Sequence, residues 1–350
     1  MAQLRLGHRF FYRGGRAKGI DERAGTDRKA IPLRSPPPDR PATRLDAVKV
    51  TQHAVSLSHD AKSTMTRRTF LKLTGAAALF PLPVLGAAAG ESGMFERAEA
   101  SGATHALQRV FFHRPAQWRA DGRVVMVMHG VKRNADRYRD DWAPLADAHG
   151  FLLLCPEFSA AKFPGSNWYN YGGMLNTDDP EQRAFAVPDR VFVDVKARFA
   201  ASAERFSLYG HSAGSQFVHR FLLLAPSARV DQAISANAGW YTLPVSDQPF
   251  PYGLQNTAVS EAQVQAFLRR PLVLQLGEAD IDPNHSSLRR NETADRQGLH
   301  RFARGLNFLE VGKREARRRG IELAWRLVTV PGVGHSNARM AASAAKVLFS

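Results

Sequence analysis

From about residue 105 onward, the chain alternates short apolar runs with longer amphipathic stretches. The apolar runs predict strands at 107–113, 123–129, 151–155, 205–209, 232–238, 272–276 and 324–330. The stretches between them predict helices at about 134–149, 185–202, 213–225, 260–269, 299–319 and 336–348. The predicted strands are apolar almost throughout, which is typical of a parallel sheet covered on both faces. The pattern therefore predicts one open α/β domain over residues 105–350, with a mostly parallel central sheet and helices on both faces.

One stretch of this domain, residues 156–184, has no clear periodicity and contains the sequence FPGSNWYNYGG. We expect it to form a long loop or a partial cap. Residues 90–104, which precede the first predicted strand, are expected to be a linker.

The first 64 residues differ from the rest in composition. They are rich in Arg, contain the run SPPPDRP and have almost no apolar periodicity, so they predict a disordered basic extension. They carry seven of the 16 net positive charges of the chain, and residues 65–89 carry three more. Because the remaining residues are only mildly basic, the charge does not indicate a nucleic-acid partner. The run KREARRR at 313–319 fits a solvated helix face, and no zinc-finger spacing or RNP-like stretch is present.

Residues 65–89 have the layout of a secretory signal. Arg67 and Arg68 form a basic head, the following residues are mostly apolar, and Ala87 and Ala89 give a small-residue end. The head, TRRTFLK, resembles a twin-arginine export signal. We therefore expect the twin-arginine export machinery as a partner, and an exported protein that is periplasmic or secreted.

Three alternatives for this region stay open. Cleavage is expected near Gly90, but the AEA sequence ending at Ala100 offers a second position. Met65 directly precedes the signal, so it is a candidate start codon that would leave residues 1–64 untranslated. A membrane anchor is less favoured, because the apolar segment is short and contains Pro81 and Pro83, whereas a span needs about 20 apolar residues.

The sequence SLYGHSAGSQ at 207–216 contains the pattern G-x-S-x-G around Ser212. A predicted strand precedes this pattern and a predicted helix follows it, which is the context of a nucleophile elbow. Ser212 is therefore a candidate nucleophile. Attack by a serine on an acyl carbon needs two donors for the negative oxygen, and the amide of Ala213 is the first candidate.

A general base has to lie further along the chain. His285, His300 and His335 follow the strand in LVLQLGEAD. His300 lies in a helical pattern, and His285 is very close in the chain to Asp280 and Asp282, the candidates for the acid that orients the base. His335 lies in VTVPGVGHSNARM, on a glycine-rich turn between the last strand and the last helix, so it is the predicted base.

These motifs together resemble the α/β-hydrolase fold over residues 105–350, and within it the secreted esterases related to polyhydroxybutyrate depolymerases. The stretches that carry the resemblance are MHGVKRNADRYRDDWAPLADAHGFLLLCPEF, YGHSAGSQFVHRF and ANAGWY. The resemblance implies that Val131, after His129-Gly130, supplies the second oxyanion amide. It also implies Asp280 as the triad acid, with Asp282 as the alternative.

The sequence thus predicts a carboxylic ester hydrolase that works through an acyl-enzyme on Ser212. Trp168, Trp240 and Tyr241 are candidate substrate-binding residues, although they are as well explained by a role in packing. No separate substrate-binding domain is recognised, so small esters or short polyesters are the expected substrates. A peptidase or acyltransferase of the same fold, and an inactive exported binding protein, are the alternatives. We expect no cofactor and no metal: DIDPNH at 280–285 lacks the glycine and glutamate of a calcium loop, and the single cysteine, Cys155, excludes a Cys-rich site.

Overall fold

The computed structural model describes residues 90–225, 227 and 229–350. The predicted basic extension and signal segment lie outside the described residues. Eight strands form one sheet: β1 (Glu91–Arg97), β2 (Gln108–Arg114), β3 (Val124–Met128), β4 (Leu152–Pro156), β5 (Phe206–His211), β6 (Val230–Ala236), β7 (Leu272–Gly277) and β8 (Trp325–Val330). Their order is β1-β2-β4-β3-β5-β6-β7-β8. The pairs β1-β2 and β2-β4 are antiparallel, and the remaining pairs are parallel.

Helices connect the parallel strands. They are α1 (Ala135–His149), α2 (Gly165–Trp168), α3 (Val187–Phe199), α4 (Ala213–Leu224), α5 (Glu261–Leu268), α6 (Glu292–Asp295), α7 (Arg301–Arg318) and α8 (Asn337–Leu348). Two short 3₁₀ helices, Pro180–Gln182 and Ala184–Ala186, precede α3.

Side chains on the two faces of the sheet belong to two separate apolar cores. On β3, Val124, Met126 and Met128 pack into the core that contains α3, α4, α5 and α7. The alternate residues Val125 and Val127 pack into the core that contains α1 and α8. This alternation follows from the two-residue repeat of a strand. It explains why β3 and β4, which are buried on both faces, are apolar at every position.

The structure differs from the sequence prediction at residues 90–104, where we expected a linker. Glu91–Arg97 forms β1, which pairs antiparallel with β2 along its whole length. Phe95 is its one buried residue, whereas Met94 is exposed. An edge strand with a single buried side chain leaves no apolar run in the sequence, which is why the pattern missed it. The predicted cap region, 156–184, contains α2 and the first 3₁₀ helix.

Among the residues that the structure describes, no helix has the length and apolar character needed to cross a membrane.

Candidate active site

Ser212 lies at the turn between β5 and α4 with φ 59° and ψ −115°, a conformation that is strained for a residue with a side chain. The two flanking glycines make this turn possible. A Cβ at Gly210 would lie 2.2 Å from the carbonyl oxygen of Gly214, and a Cβ at Gly214 would lie 2.0 Å from that of Met128. The glycine spacing therefore lets α4 leave the sheet at once, with Ser212 at its N-terminus.

The structure brings Ser212, Asp280 and His335 into one chain of hydrogen bonds. His335 Nε2 lies 3.0 Å from Ser212 Oγ, and His335 Nδ1 lies 2.8 Å from Asp280 Oδ2. A carboxylate only accepts, so Nδ1 carries the imidazole proton and Nε2 accepts from the serine hydroxyl. We call this chain of hydrogen bonds the relay. It leaves the serine hydroxyl bonded to a free base, which is the arrangement that proton removal requires.

The two candidate acids, Asp280 and Asp282, lie in different environments. Asp280 is 3% exposed and faces His335. Asp282 is exposed, and its carboxylate accepts a hydrogen bond from the amide of Asn284, 2.8 Å away. The structure therefore places Asp280 in the relay and Asp282 in a local turn.

A buried arginine supports Asp280 from behind. Arg301, at the first turn of α7, is 1% exposed, and its Nη1 lies 3.4 Å from Asp280 Oδ1. Its Nη2 donates to Ser287 Oγ at 2.9 Å. Arg301 thus joins the relay to the loop that carries Ser287.

His335 is arranged to be neutral near pH 7. Burial lowers its pKa from the ordinary value of 6.5, the hydrogen bond with Asp280 opposes this, and the charges of Arg301 and His285 lower it further. The ring of His211, the residue before the nucleophile, lies 4.6 Å from the ring of His335. Burial also holds the pKa of His211 well below 6.5, so this second imidazole adds no positive charge.

The loop after β3 lies beside the nucleophile. A Cβ at Gly130 would be 3.7 Å from the Cβ of Ser212. His129 holds this loop in place, because its Nε2 accepts from the amide of Phe158 at 2.9 Å and its Nδ1 donates to the oxygen of Gly130 at 2.9 Å. Burial lowers the pKa of His129 to about 3, so the ring is neutral. His129 is therefore a core residue that shapes the loop.

Two backbone amides are available next to Ser212. Val131 is 60% exposed and lines the space around the serine, and Ala213 begins α4. In the described part of the chain, neither amide is used in a hydrogen bond. The amide of Ala213 has no intrahelical acceptor because it lies in the first turn. Both amides fit the roles predicted for them.

Two cavities meet at Ser212. The first, about 430 Å³, is lined by His335, His211, His285, Lys132 and Arg137. The second, about 250 Å³, is lined by Ala213, Gln216, Trp240, Asn170 and Arg289. We call them the His335 cavity and the Trp240 cavity. An outer cavity of about 570 Å³ shares Ser166 and Arg289 with the Trp240 cavity and contains Trp168.

The three predicted aromatic residues have different positions. Trp240 lines the cavity named after it, and Trp168 lines the outer cavity. The position of Tyr241 fits the packing alternative. Its ring is fully buried and stacks on Phe308, with centroids 4.4 Å apart, so it belongs to the core. Trp240 and Tyr241 are neighbours in the chain, but one lines a cavity and the other packs into the core.

Three arginines near the site were not singled out from the sequence: Arg220, Arg289 and Arg301. Arg220 had a signal in the sequence, because it is the charged residue of a helix, α4, that is mostly apolar and fully buried. Arg289 and Arg301 had none, because nothing local distinguishes them from the many surface arginines of this basic chain.

Comparison with solved structures identifies relatives. Poly(aspartic acid) hydrolase-1 from Sphingomonas sp. KT-1 is 38% identical, with a TM-score of 0.71, and the match covers 75% of this chain and 99% of that one. LpqC, a poly(3-hydroxybutyrate) depolymerase from Bordetella parapertussis, is 35% identical, with a TM-score of 0.70, and the match covers 74% of this chain and 90% of that one. No family model matches the chain. The curated proteins contain no match either.

These matches extend over nearly the whole length of both relatives, and they confirm the predicted fold class. The chain belongs to the family of α/β-hydrolase-fold proteins that contains these two enzymes, and it is a hydrolase of that fold.

Proposed function

We propose that this protein is a serine esterase that hydrolyses carboxylic esters through an acyl-enzyme on Ser212. The observation that carries the proposal is the relay from Asp280 through His335 to Ser212, built on a strained turn beside two free amides. A serine that only filled a turn would need neither the base nor the strain.

In the first step, Ser212 Oγ attacks the ester carbonyl while His335 Nε2 takes its proton. The negative oxygen that forms accepts hydrogen bonds from the amides of Val131 and Ala213. His335 then gives the proton to the departing alcohol, the C–O bond of the ester breaks, and the acyl group stays on Ser212.

In the second step, His335 takes a proton from water, and the resulting nucleophile attacks the acyl-enzyme. The bond to Ser212 Oγ breaks, the serine recovers its proton from His335, and the free acid leaves. Asp280 keeps the imidazole in the required tautomer throughout and stabilises it when it is protonated.

The two cavities receive different halves of the substrate. His335 must reach the departing oxygen, so the leaving group belongs in the His335 cavity. The Trp240 cavity is also lined by Ser212 and, unlike the His335 cavity, by Ala213, so the acyl group belongs there.

Amide hydrolysis is the second candidate, because one relative is a poly(aspartic acid) hydrolase and the units of that polymer are joined by amide bonds. The relay serves both reactions. They differ in the leaving group, which must be protonated more completely when it is an amine. A set of matched methyl esters and methylamides measured with the same enzyme separates the two candidates.

The test of the mechanism is labelling by a fluorophosphonate together with hydrolysis of nitrophenyl esters of increasing chain length. The expected result is a covalent adduct on Ser212 and a loss of about 10⁴-fold or more in turnover for Ser212→Ala. Activity of Ser212→Ala within tenfold of the unchanged protein would overturn the proposal.

The chain offers a matched control at Ser92. This serine is also joined to a histidine and an aspartate, with Ser92 Oγ 2.7 Å from His113 Nδ1 and His113 Nε2 2.8 Å from Asp147 Oδ1. Ser92 lies on the regular strand β1, away from an elbow or a helix N-terminus. Ser92→Ala should therefore keep full labelling and turnover.

A further inference from the structure

The Trp240 cavity and the outer cavity adjoin each other, and the charged residue in their described lining is an arginine. They share Ser166 and Arg289, and neither is lined by an Asp or a Glu. An acyl group bound at Ser212 would therefore extend toward a guanidinium with no acidic group beside it.

Arg289 is available to a ligand. Its side chain is exposed, its polar neighbours are the phenol groups of Tyr252 and Tyr171, and no carboxylate of the described residues pairs with it. Its guanidinium carbon lies 5.4 Å from the centre of the Trp240 ring, a distance at which the aromatic face attracts a cation. The indole and these two phenol groups thus hold Arg289 at the wall of the cavity, and no carboxylate neutralises its charge.

A second guanidinium lies behind the same indole. Arg220 is fully buried and 4.2 Å from the centre of the Trp240 ring, again without a carboxylate partner in the described chain. It donates to Thr242 Oγ1 at 2.7 Å and to the carbonyl oxygen of Asn170 at 2.8 Å, and its Nη2 has no partner.

Burial lowers the pKa of Arg220 to about 9, and the charge of Arg289 acts in the same direction, so Arg220 is still protonated near pH 7. A buried cation without a counter-ion is costly, and a neutral amide could bond to the same oxygens. The charge that Arg220 retains is explained if the missing counter-ion arrives with the substrate.

We propose that the Trp240 cavity is an acyl subsite for a carboxylate, with Arg289 as its ligand and Arg220 as a second positive charge behind Trp240. This inference rests on the proposed esterase function. It names the substrate class as esters whose acyl part carries a second, free carboxylate, such as the half-esters of short dicarboxylic acids. A guanidinium recognises this group through paired hydrogen bonds, whereas a neutral acyl chain leaves it unsatisfied.

The experiment compares two nearly isosteric substrates, the monomethyl ester of glutaric acid and the methyl ester of glutaric acid monoamide, with hydrolysis followed by pH-stat titration. The succinic and adipic pairs test the chain length. The expected result is a kcat/KM at least about tenfold higher for the carboxylate than for the amide, carried mainly by KM.

Arg289→Gln should lower kcat/KM for the carboxylate by about tenfold to a hundredfold and leave the amide substrate nearly unchanged. Arg289→Lys should retain part of the preference. Arg296→Gln is the matched control, because it removes one positive charge from an exposed ion pair with Glu292 on α6 and should leave the ratio unchanged. Acetylglycolate, which carries its carboxylate in the leaving group, should show no dependence on Arg289.

Equal hydrolysis of the carboxylate and amide substrates, or an unchanged ratio in Arg289→Gln, would overturn the carboxylate subsite while leaving the esterase intact. Absence of hydrolysis of every ester, together with no fluorophosphonate adduct on Ser212, would instead overturn the proposed function. Binding of the glutarate half-ester to Ser212→Ala, measured by calorimetry with and without Arg289→Gln, tests the subsite without turnover. No loss of affinity on adding Arg289→Gln would refute it.

Discussion

At the scale of single residues, Asp280 and Asp282 show how position decides what a carboxylate can do. They are two residues apart, yet one is buried against His335 and the other is exposed at a turn. A carboxylate that accepts from Nδ1 fixes the tautomer that leaves Nε2 free to take a proton. A carboxylate that caps a local turn has no such effect.

We therefore expect Asp280→Asn to lower turnover by about 10²- to 10⁴-fold, because an amide cannot stabilise the imidazolium. Asp282→Asn should cost less than about tenfold. Both variants are measured with one soluble ester near neutral pH, after circular dichroism has shown that each is folded. A larger loss for Asp282→Asn would mean that the second aspartate is the acid.

The acid side of the pH profile should follow His335. Its pKa lies below 6.5, so the fall of kcat/KM with decreasing pH should have its midpoint below 6.5. Arg301 contributes to this lowering through its positive charge. Arg301→Met should therefore move the midpoint to higher pH, because the imidazolium is then less disfavoured.

Arg301→Lys keeps the charge and should return the midpoint toward its original value. The measurement is kcat/KM against pH for the three proteins on a neutral ester that is stable to acid. If Arg301→Met lowers activity at every pH and leaves the midpoint unchanged, Arg301 acts by position alone.

The residues that sequence reasoning could place are those with a local signature. Ser212 has its glycines, and His335 has a glycine-rich turn after a strand. Arg301 contacts Asp280 across 21 positions of the chain, and Arg289 reaches Trp240 from a loop without periodicity. Contacts of this kind depend on how helices and loops pack, and no spacing in the sequence encodes them.

At the scale of elements, β1 shows that the domain begins before residue 105, at Glu91. Its end is held by buried charges, because Glu99 accepts from Arg190 Nη1 at 2.6 Å and also pairs with Arg97. Lys162, in the cap region, donates to the carbonyl oxygens of Glu99 and Thr104 at 2.8 and 2.7 Å. The segment after β1 is thus hydrogen-bonded to the cap region, which also contains Trp168.

We expect a chain that begins at Ser101 to be less stable than one that begins at Gly90. The shorter chain loses β1, the burial of Phe95 and the ion pair of Arg190 with the buried Glu99, although Arg190 keeps its exposed partner Glu181. The expected loss in the free energy of unfolding is about 3 kcal/mol or more. For a domain of this size the melting temperature should fall by about 6–12 °C, as measured by calorimetry.

A pair of single substitutions on the same strand serves as the control. Phe95→Ala should lower the free energy of unfolding by about 2–4 kcal/mol, because the ring is buried. Met94→Ala should change it by less than about 0.5 kcal/mol, because that side chain is exposed. Equal effects of the two would show that β1 is not packed as described.

The end of a strand was predictable where the apolar run stops with the strand. It was less predictable where the apolar run continues into the following turn. β6 was predicted at 232–238 but ends at Ala236. Asn237 has φ 50° and leaves the strand, and its side-chain oxygen accepts from the amide of Gly277 at 2.8 Å. At this point a side-chain hydrogen bond to Gly277 replaces the regular backbone hydrogen bond of the sheet, and the apolar pattern of the sequence does not predict it.

At the scale of the whole molecule, the expected export signal bears on where the mature chain begins. Cleavage near Gly90 leaves β1 intact, whereas cleavage after Ala100 would remove it. We therefore expect N-terminal sequencing of the exported protein to start near Gly90.

Changing both Arg67 and Arg68 to Lys should stop export, because the paired arginines are the recognised feature of a twin-arginine signal. The measurement is the amount of mature protein outside the cytoplasm by fractionation. The same double change at Arg317 and Arg318, on α7, conserves the charge in the same way and should have no effect. Mature protein that still appears outside after the first change would exclude the twin-arginine assignment.

The hydrogen bond from Arg301 to Ser287 has a consequence for how this enzyme can diversify. Ser287 belongs to the wall shared by the two cavities at Ser212, and the same guanidinium holds Asp280. A substitution at Ser287 therefore changes the fit of the substrate and the position of Asp280 together. Its effect on activity then depends on which residues already line the cavities and surround Asp280. Asn170, which lines the Trp240 cavity from the cap region, is bonded to Gln216 and Arg220 instead of to the relay. New specificities should accumulate first on that side, and libraries directed at the cap should retain more active members than libraries directed at residues 285–288.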